Sequence, residues 1–396
     1  MYFEGRRDKA FKLLEVFLKK KIEKYDSQRN FDYGKGDYRF VSTLSPYISH
    51  GVITEKEILK KVILSPNYSH KFIQEVFWRV YWKGWLENRN IVWKNFIKFI
   101  EKFNRDKFPD KYLYNNALTG NTNIDPYNKW VTDLIETGYL HNHTRMWFAS
   151  IWIHYMGLPW QLGAKFFLEN LLDADPASNT LSWRWVAGLQ TKGKKYIATE
   201  KNINIFTNQK FQGFTLPKMK DIILEDEVLN DNTMTYKSNI HFKTDSALFI
   251  FENNIYPELL YDKINTFKCV FLIRFKVNNF KLSNNVLHFK DNLIKDFIKN
   301  VKEKGTKINF IFLPEDERKI IKILKENRIR NIVHSYLTVG NEKDIFNGFK
   351  EKSLQLLNIQ EVLDSFFVEA WRYSKKGFFK FKKEIPLLID KFIKNN

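Results

Sequence analysis

The apolar positions change period partway along the chain. Up to about residue 212 they recur at helical spacing. Phe11, Leu14, Leu18 and Ile22 mark one face of a helix that Leu13 and Phe17 widen, and similar faces run over 75–87 and 128–137. Ser, Thr or Asp stand ahead of several of these stretches as caps. Beyond residue 240 the pattern turns to short apolar runs at 247–251, 269–273, 307–313 and 331–335, with amphipathic stretches over 291–304 and 315–328 between them. Buried strands alternating with helices predict a parallel α/β layer. The expected chain is therefore multi-domain, α and α/β. It has an all-α domain over 1–212, a linker over 213–239 around Pro217, and a Rossmann-like parallel α/β domain over 240–396 that ends in a helical segment.

Composition sharpens that division. Ten of the eleven tryptophans lie before residue 186, and Trp371 is the other. No internal repeat at a fixed period is visible. At 396 residues, 44% hydrophobic and 28% charged, the chain has the make-up of a globular protein with two cores. The single Cys269 excludes a disulfide framework, a Cys-based zinc site and a four-Cys cluster. His141 and His143 lie two apart on a segment that reads helical, so no metal is expected.

The residues 1–7 do not form a signal sequence, because charge and glycine interrupt them. The most apolar run, 146–160, holds His154 and Pro159 and is too short to span a bilayer. A cytoplasmic, membrane-free protein is expected, and nothing argues against a monomer. With 65 basic and 45 acidic side chains the net charge is +20, which suits a polyanionic partner or a broadly solvated basic surface. No Gly-x-Gly-x-x-Gly follows a strand, and the usual hydrolase, zinc-protease and phosphate-loop motifs are missing.

What remains is a set of aromatic, amide and acidic residues. Tyr25–Asn30 (YDSQRN), Ser42–Ile48 (STLSPYI), Glu75–Arg79 (EVFWR), Gly138–Met146 (GYLHNHTRM) and Asp173–Trp185 (DADPASNTLSWRW) occur in that order. Together they resemble the flavin-binding helical domain of the DNA photolyase and cryptochrome family. The resemblance is close over the first half and holds only in outline over the second. Members of that family usually begin with an α/β antenna domain and end with the helical one. The reversed order here implies a circularly permuted arrangement, with an antenna chromophore of unidentified kind over 240–396.

The resemblance implies FAD as cofactor. Tyr25, Ser42, Thr43, Leu44 (through its backbone) and Ser45 match the family's phosphate contacts, although Val41 stands where a threonine is usual. Without the family, Ser-Thr-x-Ser-Pro reads as a helix cap. Arg79, Asn142, Arg145, Asp173 and Asp175 match further cofactor-binding positions, with Arg145 and Asp173 expected as an ion pair because a buried arginine needs one. Asn179 matches the residue facing the flavin's reactive nitrogen. Trp183 and Trp160 match the proximal and middle members of the electron-transfer chain. Its third member has no clear match, and Tyr112, Tyr114 and Trp93 are candidates.

Glu75, Trp78, Asn142, Met146 and Trp185 match all five residues that meet a cyclobutane pyrimidine dimer in the repairing branch. Flat indole faces suit an unstacked base, and a carboxylate can accept from its edge. His143 replaces a DNA-contacting arginine, and Ser182 replaces a glycine. Lys165, Arg184, Lys192, Lys194 and Lys195 lie near the pocket in sequence as a phosphate track. The implied function is blue-light-driven repair of pyrimidine dimers in DNA by electron transfer from reduced FAD. The alternative is a cryptochrome-like photoreceptor without repair, and a third reading is a basic nucleic-acid-binding protein without light chemistry.

Overall fold

Each apolar stripe of the first half becomes the buried face of a helix. In the computed structural model, which describes residues 3–191, 193–222, 229, 243, 245–305, 307–313, 315–353 and 356–394, the first stripe forms Arg7–Lys20, burying Ala10, Leu14 and Phe17. The second forms α1 (His70–Glu87), which starts where Ser69 Oγ accepts from the Phe72 amide. The third forms Asp125–Thr137 and stops at Gly138, whose φ of 69° suits a residue without a Cβ.

Three helices complete the part of the fold that positions the site. They are α2 (Asn142–Ser150), α3 (Trp160–Asn170) and α4 (Pro176–Ala187). α4 packs against α1, α2 and α3, so all four share one core.

The second half forms a five-stranded parallel sheet of β1 (Ala247–Phe251), β2 (Cys269–Phe275), β3 (Ile308–Leu313), β4 (Asn331–Ser335) and β5 (Asn358–Val362), in the order β3-β2-β1-β4-β5. Phe249 lies opposite Phe271 on one side and His334 on the other. Successive side chains alternate between faces. Leu248, Ile250, Val270 and Leu272 join the core that runs through the helices, while Phe249, Phe251, Phe271 and Ile273 pack with Phe346 and Phe349 on the far side.

The four predicted strands are present, and the two predicted helices run over Asn284–Glu303 and Glu317–Glu326. β5, with the sequence Asn-Ile-Gln-Glu-Val, is not predicted. It is an edge strand whose polar residues carry no buried-strand signal. Most of the expected linker, 223–228 and 230–239, lies outside the described residues. Its described start docks on the helical part, where the Lys220 amide donates to His154 O at 2.8 Å.

After β5 the chain returns to the helices as α5 (Ser365–Arg372) and α6 (Phe378–Phe381), both packed against α1. No helix among the described residues is long and apolar enough to cross a membrane. None of their His, Cys, Asp and Glu side chains gather in threes as a metal would require.

Candidate flavin and nucleic-acid site

Asp175 shows how local structure builds the site. It caps α4, its Oδ1 accepting from the Ser178 amide at 2.9 Å, and Pro176 follows at the first helical position. Its other oxygen accepts from Arg79 Nη2 at 3.2 Å. The same nitrogen donates to Ser49 Oγ at 2.9 Å, and that hydroxyl donates to Asp173 O at 2.7 Å. Arg145 closes the ring: its Nη2 donates to Asp173 Oδ2 at 2.9 Å and its Nε to Leu140 O at 2.9 Å. Arg79, Asp175, Asp173 and Arg145 thus come together from α1, α2 and the turn before α4, linked by Ser49.

The electrostatics follow from burial and pairing. Burial pushes the Asp173 carboxyl up, but Arg145, with Ser45 and Arg79 behind it, holds it below the usual carboxylate range. Burial likewise works against the Arg145 charge, and Asp173 keeps it protonated. Burial drives the Tyr25 hydroxyl well above its ordinary value, and its ring is edge-on to Phe17 and Phe72. His141, which caps α2 by accepting from the His143 amide at 3.2 Å, is lowered to about 4 by burial.

The Ser42–Ser45 loop holds Thr43 at φ 56°, a left-handed conformation uncommon for a side chain branched at Cβ. Thr43 Oγ1 donates to Ser42 O at 2.7 Å, and the Leu44 amide reaches Ser42 Oγ at 3.5 Å. Asn179 is buried, and its amide nitrogen donates to Ala164 O at 2.8 Å, which leaves the amide oxygen as its acceptor. Arg79 Nε, Ser178 Oγ and Trp183 Nε1 are buried without a hydrogen-bond partner. Interiors rarely leave such atoms alone. Unspent donors beside two arginine–carboxylate pairs fit a polar, anionic ligand with a ring system, as FAD is.

The aromatic residues are placed unevenly. Trp183 is edge-on to Trp152 at 6.2 Å and to Phe167 at 5.1 Å, and Trp152 is edge-on to Tyr114 at 6.0 Å. Trp160 stacks on Phe96 at 5.7 Å, and Phe96 lies 5.3 Å from Trp93. Of the three candidates for a third electron donor, Tyr114 and Trp93 are buried and Tyr112 is 78% exposed.

Glu75 pairs with Lys71 at 3.1 Å and approaches Arg29 at 4.0 Å. Asn142 is exposed, and Met146 and Trp185 are half-buried, the latter stacked on Tyr196 at 5.6 Å. Trp78 has one face covered by Phe378 of α6, with centroids 3.6 Å apart and planes 12° from parallel.

Two expected DNA contacts sit inside the protein. His143 is buried, with Nδ1 3.0 Å from Asn30 O, and it stacks on Trp147 at 4.3 Å. Arg184 is buried with its guanidinium 5.8 Å over the Trp160 ring. An uncharged imidazole and a cation held on an indole both suit the interior better than a phosphate track would. Lys192 lies outside the described residues.

Sequence reasoning passed over Ser49, Trp152 and Phe378. Ser49 follows Ser45 by one helical turn, a spacing that could have flagged it. Phe378 is about 300 residues from its partner, and no local signal joins them.

A cleft of about 120 Å³ opens beyond the carboxyl ends of β1, β4 and β5, between the sheet and the helices. It lies where the strand order reverses, the usual ligand position in such sheets. Asn253 Oδ1 and Ser335 Oγ line it, both buried and without a partner.

Residues 72–213 match the family model of the FAD binding domain of DNA photolyase. A deoxyribodipyrimidine photo-lyase of Buchnera aphidicola is 27% identical over 203 residues, 48% of this chain and 40% of that protein. One of Agrobacterium fabrum is 29% identical over 187 residues, 45% and 37% of the two chains. A chloroplastic/mitochondrial cryptochrome DASH of Oryza sativa is 24% identical over 246 residues, 57% and 40%. A Synechocystis cryptochrome structure aligns with a TM-score of 0.42 and 22% identity over 53% of this chain and 44% of that one. The chain spans about two fifths of the length of the curated relatives it matches. Over residues 72–213 the chain thus carries an FAD-binding domain of the DNA photolyase type, and over about half its length it is similar to photolyases and cryptochromes.

Proposed function

We propose that this protein repairs cyclobutane pyrimidine dimers in DNA, driven by blue light and dependent on FAD. One observation carries the reading. Glu75 and Arg79 lie one turn apart on α1, so the helix that ties itself to Asp175 carries Glu75 and Trp78 within a turn of that tie, which supports a lesion pocket next to the cofactor. The relatives named deoxyribodipyrimidine photo-lyase support it.

The chemistry a bound, reduced FAD supplies is light-driven donation and recovery of one electron. The chain's residues bind and orient. Arg145, Arg79, Asp173 and Asp175 hold the ring system, Asn179 offers its amide oxygen, and Tyr25, Ser42, Thr43, Leu44, Ser45 and Asn142 meet the polar remainder. Glu75 accepts from the base edge, and Trp185, Met146 and the free face of Trp78 take its apolar surface. Trp183 and Trp160 would be the near and middle members of an electron relay to a bound FAD.

The sheet following the helices supports the permuted domain order, with 1–212 as helical domain and 240–396 as antenna-like domain. The cleft beyond β1 and β4 is the place for an antenna pigment. The protein acts as a cytoplasmic monomer without a metal.

The test is repair of a thymine-dimer oligonucleotide by the purified, photoreduced protein, with a dark control. Repair under blue light alone is expected. A flavin-loaded protein that repairs nothing overturns the reading and leaves the photoreceptor. Phe378 already lying on Trp78 is the observation that favours that second reading.

A further inference from the structure

The last helical segment carries a concentration of charge that the site does not use. Six of the twelve residues from Arg372 to Lys383 are lysine or arginine, and none is acidic. Lys375, Lys376, Lys380, Lys382 and Lys383 are all exposed, and none forms an ion pair among the described residues. In their midst Phe379 is 82% exposed, while its neighbour Phe378 is buried against Trp78.

The segment is fixed in place rather than draped. Arg89 Nη2 donates to Lys375 O at 2.7 Å and Tyr81 Oη donates to Lys376 O at 2.9 Å, pinning the turn before α6 to α1. Phe381 packs beneath it against Phe77 and Tyr81. Phe379 and its lysines therefore stand at a set position beside Trp78. Holding a large apolar ring in water on a rigid support costs free energy, and at 82% exposure the ring recovers little of it by burial among the described residues. A ring framed by free cations matches the requirements of a nucleic-acid strand, with phosphates for the lysines and a base face for the ring.

We infer that Arg372–Lys383 is a nucleic-acid-binding element in which Phe379 stacks on a base while Lys375, Lys376, Lys380, Lys382 and Lys383 hold the adjoining phosphates. The inference rests on the reading of the helical domain as one that acts on DNA, and it extends the contact surface onto the segment after the sheet. Charge complementarity identifies the partner class. The Phe378–Trp78 stack joins the element to the proposed lesion pocket, so a strand leaving that pocket passes over it.

The experiment measures binding of the full chain to a fluorescent, undamaged single-stranded thymidine oligonucleotide by anisotropy across a salt series, in the dark. Phe379→Ala is expected to weaken binding by about fivefold or more, as loss of one base–aromatic stack does. Lys380→Gln with Lys382→Gln is expected to flatten the salt dependence by about 0.7 per lysine replaced. Leu64→Ala, at an equally exposed apolar site, serves as the control and is expected to change neither.

Wild-type affinity in Phe379→Ala together with an unchanged salt slope in the lysine pair overturns the inference. So does binding of the wild type to vesicles of phosphatidylserine and phosphatidylcholine that is lost in the same variants while oligonucleotide binding is kept. Because the probe is undamaged and the readout dark, a wild type that binds it through Phe379 yet repairs no dimer counts against the repair reading alone. A wild type that repairs, with Phe379→Ala repairing and binding equally well, counts against this inference alone.

Discussion

Gly163 and Trp183 touch where no further atom fits: a Cβ on Gly163 would fall 2.2 Å from Trp183 Cη2. α3 therefore approaches α4 closely enough for the glycine backbone to form one wall of the indole's slot. Trp183 is 2% exposed, so the ring has no solvent side into which to retreat.

Gly163→Ala is accordingly expected to destabilise the protein. Alanine gains about 1 kcal/mol of helix propensity over glycine, but overpacking a filled core costs about 1–3 kcal/mol. With the obstacle a buried indole, the clash wins. Thermal unfolding and tryptophan emission measure it, and a more stable variant with unchanged emission would show that Trp183 shifts freely.

This contact marks the boundary of what the sequence made legible. The helical and strand runs and the Arg145–Asp173 pair follow from local pattern or from motif, because periodicity and charge pairing act over a few residues or within recognisable strings. Ser49, buried Arg184 and the Phe378–Trp78 stack did not. Each depends on how distant segments meet, and that is decided by packing over hundreds of residues. β5 was lost for a different reason: an edge strand need not be apolar.

Asp173→Asn is expected to cost about 3 kcal/mol, since it removes the carboxylate that pairs with the Arg145 guanidinium and leaves it the Leu140 carbonyl. That is the low end for a buried pair, because 23% of the Arg145 side chain stays accessible. The pair also adds acid sensitivity. The folded carboxyl lies below its ordinary value of 3.8, so its contribution is complete above that pH and disappears as pH falls through the folded value. Urea midpoints at pH 7 and flavin content of the purified variant check the first point. Full stability with full flavin loading would show the pair to be dispensable.

Glu87 is the polar joint between α1 and the sheet. Its carboxylate accepts from Tyr336 Oη at 2.6 Å, the Val339 amide at 2.5 Å and Lys343 Nζ at 3.0 Å, and it is 1% exposed. Glu87→Ala strands those donors at a buried seam, a loss of about 3–5 kcal/mol. Proteolysis is expected to nick the variant between the helices and the sheet before either part is digested. Resistance equal to that of the wild type would place the joint elsewhere.

Histidines lowered to about 4 by burial, namely His50, His141 and His334, make stability fall in mild acid. His334, fully buried on β4, has Nδ1 2.8 Å from Ser335 O and no partner at Nε2, and it lies among Phe251 and Phe346. Burial, with some help from Lys350, lowers it to about 4. His141 falls to about 4 through burial opposed by Asp32, with His143 and Arg145 acting in the same direction as burial. The ordinary value of each is 6.5, so the unfolded chain takes up protons that the folded one refuses. Each histidine's contribution is complete above pH 6.5 and drains away as pH falls towards 4, by about 2 kcal/mol per residue between pH 6.5 and 5. His334→Leu removes one of these protons, leaving those of His50 and His141, so its urea midpoint should decline less steeply over that range than that of the wild type. Parallel declines would mean that His334 is protonated in the folded protein, its charge stabilised despite the aromatic surroundings.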